Sequence, residues 1–244
     1  MNIRNIKLVL EYDGSDFSGW QIQPDRRTVQ GVIKEVLEKT LKEDINLIGS
    51  GRTDVGAHAL AQVANFKTKT ELELKAIFEG SNSLLPDDVL IREIQEVDPD
   101  FNARYSARSK VYRYRIYLTR TAILKRYVWE VSVPIDIEKM EEATGVISGQ
   151  HDFSSFCVTK STKEENLCQV MQAKWAGRNQ SLIFEIEADR FLHSMVRSLV
   201  GTLVDVGRGY FSPSDFTEIL KAKDRKRAGL TAPAKGLYLV KVNY

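Results

Sequence analysis

Residues 110–118 read KVYRYRIYL, an alternation that a β-strand explains. A period of two puts Tyr112, Tyr114, Ile116 and Leu118 on one face, and Arg113, Arg115 and Tyr117 on the other. One side suits a core and the other is basic. On the N-terminal side, residues 6–12 (IKLVLEY) form a short apolar strand that ends in the turn Asp13-Gly14. Thr28 caps a helix whose stripe is Val29, Val32, Ile33, Val36, Leu37 and Leu41. A strand begins at 46–48 and runs into Gly49-Ser50-Gly51-Arg52-Thr53-Asp54. Residues 59–66 read as a strand, 74–84 as a helix stopped by Pro86, and 89–97 as another strand.

The same grammar continues on the C-terminal side. Asp136 caps a helix carrying Ile137, Met140, Val146 and Ile147. Residues 170–175 and 182–188 form a hairpin around Gly177-Arg178-Asn179. The strongest helix is expected over 191–206, with Phe191, Leu192, Met195, Val196, Leu199, Val200 and Leu203 buried and Gly207 as its C-cap. Ser212-Pro213-Ser214-Asp215 opens the last helix, and 237–242 closes the chain as a strand. Interleaved strands and helices in both halves predict an α/β (α+β) protein. Two lobes of mixed or antiparallel sheet are expected, 1–102 and 103–244, with the boundary near 98–105.

Composition narrows the function. With 43% hydrophobic and 28% charged residues in 244, the chain can build a core without metal or disulfide staples. Two cysteines, Cys157 and Cys168, are too few for a disulfide framework and suit a reducing compartment. Three histidines without close pairing do not form a zinc-ligand pattern, so no zinc site is expected. No secretory signal and no apolar run of about 20 residues is present, so a soluble cytoplasmic protein is expected. The 35 basic against 33 acidic side chains leave +2, so any basic surface must be local.

Local basic character is concentrated in 103–126. That stretch holds Arg104, Arg108, Lys110, Arg113, Arg115, Arg120, Lys125 and Arg126 without an acid, interleaved with Tyr105, Tyr112, Tyr114 and Tyr117. Cations neutralise phosphates and aromatic rings stack on unpaired bases, so contact with nucleic acid is expected here. A second run, Lys221, Lys223, Arg225, Lys226 and Arg227, reads alone as a solvated helix end.

The glycine turn does not fit the phosphate templates. Asp54 stands where G-x-G-x-x-G needs its last glycine, and the G-K-[ST] ending of a P-loop is missing. An acid in such a turn ordinarily bonds its own backbone. Here flanking glycines permit close approach of a ligand, and Arg52 can hold an anion nearby. On the long helix, Arg190, His193, Arg197 and Gly201 are expected on one face. Arg197 either snorkels to water or meets a carboxylate. His193 reads as structural. His151-Asp152-Phe153 reads as a helix-terminus or turn element, and Ser154, Ser155 and Cys157 make no triad.

These residues carry a resemblance. Tyr12-Asp13-Gly14, Gly19-Trp20-Gln21, Gly51 to Ala59 (GRTDVGAHA), Leu85-Pro86-Asp87-Asp88, Phe101-Asn102-Ala103-Arg104 and Lys110 to Tyr114 (KVYRY) occur in order. They are followed by His151-Asp152-Phe153, the helix from Phe191-Leu192 through Arg197 to Gly201-Thr202, and Ala232 to Leu237 (APAKGL). The series closely resembles the tRNA pseudouridine synthase A family over nearly the whole chain. Val55 and Ala57 stand where the family often has the small and the branched residue exchanged.

The resemblance implies Asp54 as the catalytic acid, Tyr112 as the ring stacking on the target uracil, and Arg197 as the cation paired with Asp54. Arg52 helps extrude the nucleotide or holds its phosphate, and Leu237 packs near the flipped base. Together with the basic stretch it marks Lys110, Arg113 and Arg104 as RNA-binding. It implies two lobes related to RNA-recognition-type sheets with the active cleft between them, a homodimer, and neither cofactor nor metal. The implied substrate is tRNA, at uridines on the 3′ side of the anticodon stem-loop. The chemistry agrees. Breaking C1′–N1 gives C1′ oxocarbenium character, which a carboxylate stabilises or attacks. Attack at C1′ and abstraction of a sugar proton are both open at this level. Two other readings compete, a synthase acting on another structured RNA and a non-catalytic RNA-binding or RNA-folding protein.

Overall fold

The computed structural model describes residues 3–158 and 166–244. It divides into two compact units, one running to Arg108 and taking back Tyr238–Tyr244, the other Ser109–Leu237. The first unit begins with β1 (Arg4–Tyr12), α1 (Val29–Leu41) and the two-residue β2 (Ile48–Gly49), and continues with β3 (His58–Thr68), α2 (Leu74–Leu84) and β4 (Val89–Val97). In β1, Ile6, Leu8 and Leu10 are wholly buried and Tyr12 nearly so, while Lys7, Val9 and Glu11 between them are half-buried. Antiparallel β3 and β4 flank it. Helix α1 buries Val29, Ile33, Val36, Leu37 and Leu41, and Thr28 Oγ1 accepts from the Gly31 N–H at 3.3 Å. Each such buried aliphatic side chain contributes about 1.5–3 kcal/mol. The strand expected over 46–48 is shorter and later, because only Ile48 and Gly49 pair with β3.

The second unit contains β5 (Ser109–Tyr117), β6 (Trp129–Glu130), α3 (Ile137–Gly145), β7 (Gly149–Asp152), β8 (Leu167–Arg178), β9 (Ser181–Ala188), α4 (Met195–Gly207) and α5 (Pro213–Ala222). Strands β5, β9, β8 and β7 are antiparallel neighbours, and β6 pairs parallel with β5. The alternation of 110–118 is realised. Tyr112, Tyr114 and Ile116 are buried opposite Ile186, Phe184 and Leu182 of β9. The β8–β9 turn is centred on Asn179-Gln180, with Asn179 at φ 54°, slightly past the expected position. Asp136 caps α3 as expected, but Ile137 is exposed, Val146 is the C-cap, and Ile147 is buried beyond the helix end. His151 and Asp152 end strand β7 rather than a helix. Helix α5 opens with a reciprocal capping box between Ser212 and Asp215, and Pro213 is its first residue.

Helix α4, MVRSLVGTLVDVG, has every residue but Arg197 buried. It packs on α3, α5 and β5. A helix apolar nearly all round belongs in an interior. It starts at Met195 rather than 191. The Asp189 carboxylate draws the N–H groups of Arg190 (2.6 Å) and Gln169 (2.9 Å), and Ser194 sits at φ 58°. Neither arrangement continues a helix. Arg190 and His193 therefore do not share a helical face with Arg197 and Gly201. Gly207 is the last helical residue, and Arg208 caps the helix.

The division into units corrects the expected boundary of 102/103. Residues 103–108 stay with the first unit, and β10 (Leu237–Asn243) carries the chain back into it. Three interactions account for this. Tyr238 and Leu239 pair parallel with His58 and Ala59 of β3. The Arg108 N–H donates to Asn243 O at 2.8 Å, and the Tyr244 hydroxyl donates to Ala103 O at 2.9 Å. Inside, Asn65 Nδ2 donates to Asn5 Oδ1 (2.9 Å), its Oδ1 accepts from Ala103 N–H (2.8 Å), and Asn5 Nδ2 donates to Asp98 O and Phe101 O. Among the described residues no helix is long and apolar enough to cross a membrane.

Removing a partner from this buried amide network leaves polar groups unsatisfied, at about 1–3 kcal/mol. Asn65→Ala is expected to lower the thermal unfolding midpoint by several degrees, at about 2–4 °C per kcal/mol. Calorimetry checks this, and an unchanged midpoint would show the network to be energetically neutral.

Candidate active site

In the first unit the site is built on the glycine turn. Asp54 is half-buried, between exposed Arg52 and buried Thr53 on one side and exposed Val55 on the other. Its carbonyl accepts from the Ala57 N–H at 3.1 Å, with Gly56 at φ 78°, and this closes the bend into β3. The residue before the acid is clamped twice. Thr53 O accepts from the Trp20 N–H at 3.1 Å, and Thr53 Oγ1 lies 2.8 Å from the hydroxyl of Tyr12. That phenol is buried, and burial pushes its pKa well above the ordinary tyrosine value. Ser50 Oγ donates to Gln62 Oε1 (2.6 Å), and Gln62 Nε2 donates to Gly51 O (3.0 Å). Arg52 turns outward, with Nε donating to Gln21 Oε1 at 3.2 Å.

Behind the bend, the turn at Asp13-Gly14 presses on Ala57. A Cβ on Gly14 would stand 1.9 Å from Ala57 O, so only glycine allows this approach. The His58 ring, 2% exposed, stacks on Tyr238 at 4.7 Å. Its Nδ1 lies 3.2 Å from the Gly14 N and 3.1 Å from Asp13 Oδ1. A neutral ring accepts the Gly14 N–H there, and a protonated one donates to Asp13. The sequence shows Tyr12 as the end of a strand, Asp13-Gly14 as the turn after it and His58 as part of a motif, without their contacts to the bend. Periodicity gave them no role, because their partners lie 41 and 44 residues away.

In the second unit, Tyr112 and Tyr114 occupy the buried face of β5. Phe191 meets the Tyr112 ring edge-on at 4.9 Å. Tyr114 donates its hydroxyl to Pro233 O at 2.6 Å. Burial raises its pKa strongly, and the nearby Arg197 charge opposes the rise. Half-buried Arg197 donates through Nε to Ala232 O at 2.7 Å, and its own carbonyl accepts from the Ala232 N–H at 3.1 Å. Leu237, 6% exposed, follows the short turn Ala234–Gly236 at the start of β10.

The expected RNA contacts differ in their surroundings. Arg104 is exposed beside the Tyr105 ring (5.6 Å), on a turn whose N–H groups are taken by Asn102 Oδ1. Lys110 is half-buried on β5. Arg113 is exposed, but its guanidinium meets Glu185 across the strands at 2.6 Å, and Lys174 reaches the same carboxylate at 3.3 Å. Arg113, the nearer cation, holds the Glu185 carboxyl below its usual range. Asp54, Arg52 and Arg104 belong to the first unit, and Lys110, Tyr112, Arg113, Arg197 and Leu237 to the second. Among the described residues no group of three or more His, Cys, Asp and Glu side chains could hold a metal ion.

Comparison with known proteins identifies the family. The family model described as tRNA pseudouridine synthase matches residues 8–106 and 145–244. A protein of Caldicellulosiruptor saccharolyticus named tRNA pseudouridine synthase A is 44% identical over 244 residues, 99% of this chain and 100% of its own. Proteins of the same name from Thermoanaerobacter sp. strain X514 and Exiguobacterium sp. are 42% and 40% identical, each over 99% of this chain and 100% and 98% of their own lengths. With matches of this extent across both units, the chain belongs to the tRNA pseudouridine synthase A family.

Proposed function

We propose that this protein isomerises uridine to pseudouridine in the anticodon stem-loop of tRNA, with Asp54 acting at C1′ of a flipped-out uridine. The observation that carries the reading is the placement of Asp54. It is a half-buried carboxylate on a bend held by Tyr12, Trp20 and Gln62 rather than on a free loop. The reaction breaks C1′–N1, turns the base and joins C1′ to C5. C5 gives up its proton and N1 gains one, so no atom is added or lost. A preorganised carboxylate facing C1′ stabilises the charge that develops as the bond breaks. Water must be kept out, since hydrolysis would leave an abasic site.

A base inside a stem must be everted, and unstacking costs a few kcal/mol. The Tyr112 ring replaces that stacking, and its edge contact with Phe191 fixes its plane. By the family resemblance Arg52 helps extrude the nucleotide or holds its phosphate, Arg197 pairs with Asp54, and Leu237 packs near the flipped base. Lys110 and Arg104 contact phosphates, and Arg113 does so by exchanging Glu185 for one. By the same resemblance the protein works as a cytoplasmic homodimer on tRNA without a cofactor.

Asp54→Asn preserves shape and removes the charge. On unmodified tRNA it is expected to lose about 100- to 1,000-fold or more in the single-turnover rate, with tRNA affinity kept. Pseudouridine formed at the wild-type rate would remove Asp54 from the mechanism. Wild-type protein that binds tRNA but forms none would favour the non-catalytic reading, and modification mapped only to other RNAs would change the substrate.

Tyr112→Phe keeps the ring. Its tRNA affinity is expected to stay close to wild type in equilibrium binding, with any loss confined to the rate. A large loss of affinity would contradict the stacking role. Lys110→Gln should flatten the salt dependence of tRNA binding, by a slope of about 0.7–0.9 if it neutralises one phosphate. An identical slope would place that contact elsewhere.

A further inference from the structure

The basic run from Lys221 to Arg227 looks from sequence like a solvated helix end, and most of it is exposed. Arg225 is different. Its side chain turns back on the chain that follows it. One terminal nitrogen donates to Ala228 O (3.3 Å) and Gly229 O (3.0 Å), and the other donates to Thr231 Oγ1 (2.7 Å). A planar fork with fixed donor directions suits three acceptors spread over one loop, whereas a lysine ammonium does not.

The loop so gathered lies along α4. The Gly229 N–H donates to Thr202 Oγ1 at 3.0 Å, and the Leu230 N–H donates to the Asp205 carboxylate. Leu230 O comes so close to the helix that a Cβ on Gly201 would stand 1.8 Å from it. Thr231 Oγ1 lies 3.4 Å from Ser198 Oγ. The next residue, Ala232, exchanges two hydrogen bonds with Arg197, one of them to the guanidinium. Tyr114 then takes Pro233 O, and the strap passes on to Leu237. Arg225 therefore sits one residue-to-residue link from the carbonyl that aims Arg197.

We propose that Arg225 is a positioning residue for this reaction. It binds the 228–231 strap on α4 so that Ala232 O holds the Arg197 guanidinium in its working direction, and it does not contact RNA phosphate. This rests on the reading that Arg197 belongs to the catalytic machinery. The effect expected is on rate rather than affinity. Displacing a catalytic group by about 1 Å through a remote change can cost about 100-fold.

The test measures single-turnover rates and tRNA affinity at several salt concentrations, on unmodified tRNA, for wild type, Arg225→Ala, Arg197→Ala and the double variant. The expected result is a rate loss of about 10- to 100-fold for Arg225→Ala, with affinity and its salt slope unchanged. That loss should shrink sharply in the Arg197→Ala background, since coupled sites are not additive. Arg225→Lys should not restore the rate. Thr231→Val removes one of the three acceptors and should show a smaller loss with the same dependence on Arg197, and it carries the cycle alone if Arg225→Ala does not fold. Weakened affinity with a flatter salt slope would make Arg225 a phosphate contact and overturn the proposal. So would an unchanged rate, or an equal loss in both backgrounds. Absence of pseudouridine with the wild-type protein would instead defeat the underlying functional reading.

Discussion

The hydroxyls of Tyr12 and Thr53, 2.8 Å apart and out of contact with water, tie the acid-bearing bend to the first strand of the protein. A carboxylate can stabilise charge in a transition state only if it is already in place when that charge develops. A glycine-flanked bend by itself does not supply such fixity. Here the fixity comes from behind: from the Tyr12 phenol, from the Trp20 N–H on Thr53 O, from the Gln62 amide on Gly51 O, and from the Gly14 turn seated against Ala57. The buried apolar residues of β1 therefore bear on the position of the Asp54 bend. They set the position of the strand from which Tyr12 reaches the bend.

The second unit solves a similar problem with different parts. Arg197 is the one residue of α4 that is not buried, and a guanidinium has many rotamers available to it. Its freedom is cut by a strap that crosses the helix where Gly201 permits backbone contact. Tyr114, a side chain of the strand that also carries Tyr112, grips the same strap one residue further on. The Tyr114 hydroxyl and the Arg197 guanidinium are thus both held by one stretch of chain, 228–237, which ends at Leu237. A Cβ on Gly229 would stand 2.3 Å from Asp205 Oδ2 and one on Gly236 2.7 Å from the Tyr114 ring, so a side chain fits at neither position.

Much of this was legible in the residues themselves. The alternation of 110–118 correctly gave the buried tyrosines, Thr28 and Ser212 gave helix starts, and the ordered motifs gave the family. The misses have a common cause. The long helix was expected from Phe191 because its apolar spacing begins there, yet Asp189 captures the N–H groups of Arg190 and of Gln169, 20 residues earlier. Arg225 looked like its lysine neighbours because charge is visible in a sequence and direction is not. Arg113 likewise reads as a free cation until β9 brings Glu185 across from it.

By itself the sequence determined most of the elements, the helix starts at Thr28, Asp136 and Ser212 and the buried face of β5, because each depends on side chains within a few residues of one another. The tertiary structure decided where the chain divides, which strand the last residues join, and which cations are spent inside the protein. Those outcomes depend on hydrogen bonds between backbone segments far apart, such as Tyr244 to Ala103 across 141 positions. A local pattern contains no record of which distant carbonyl will face a given donor.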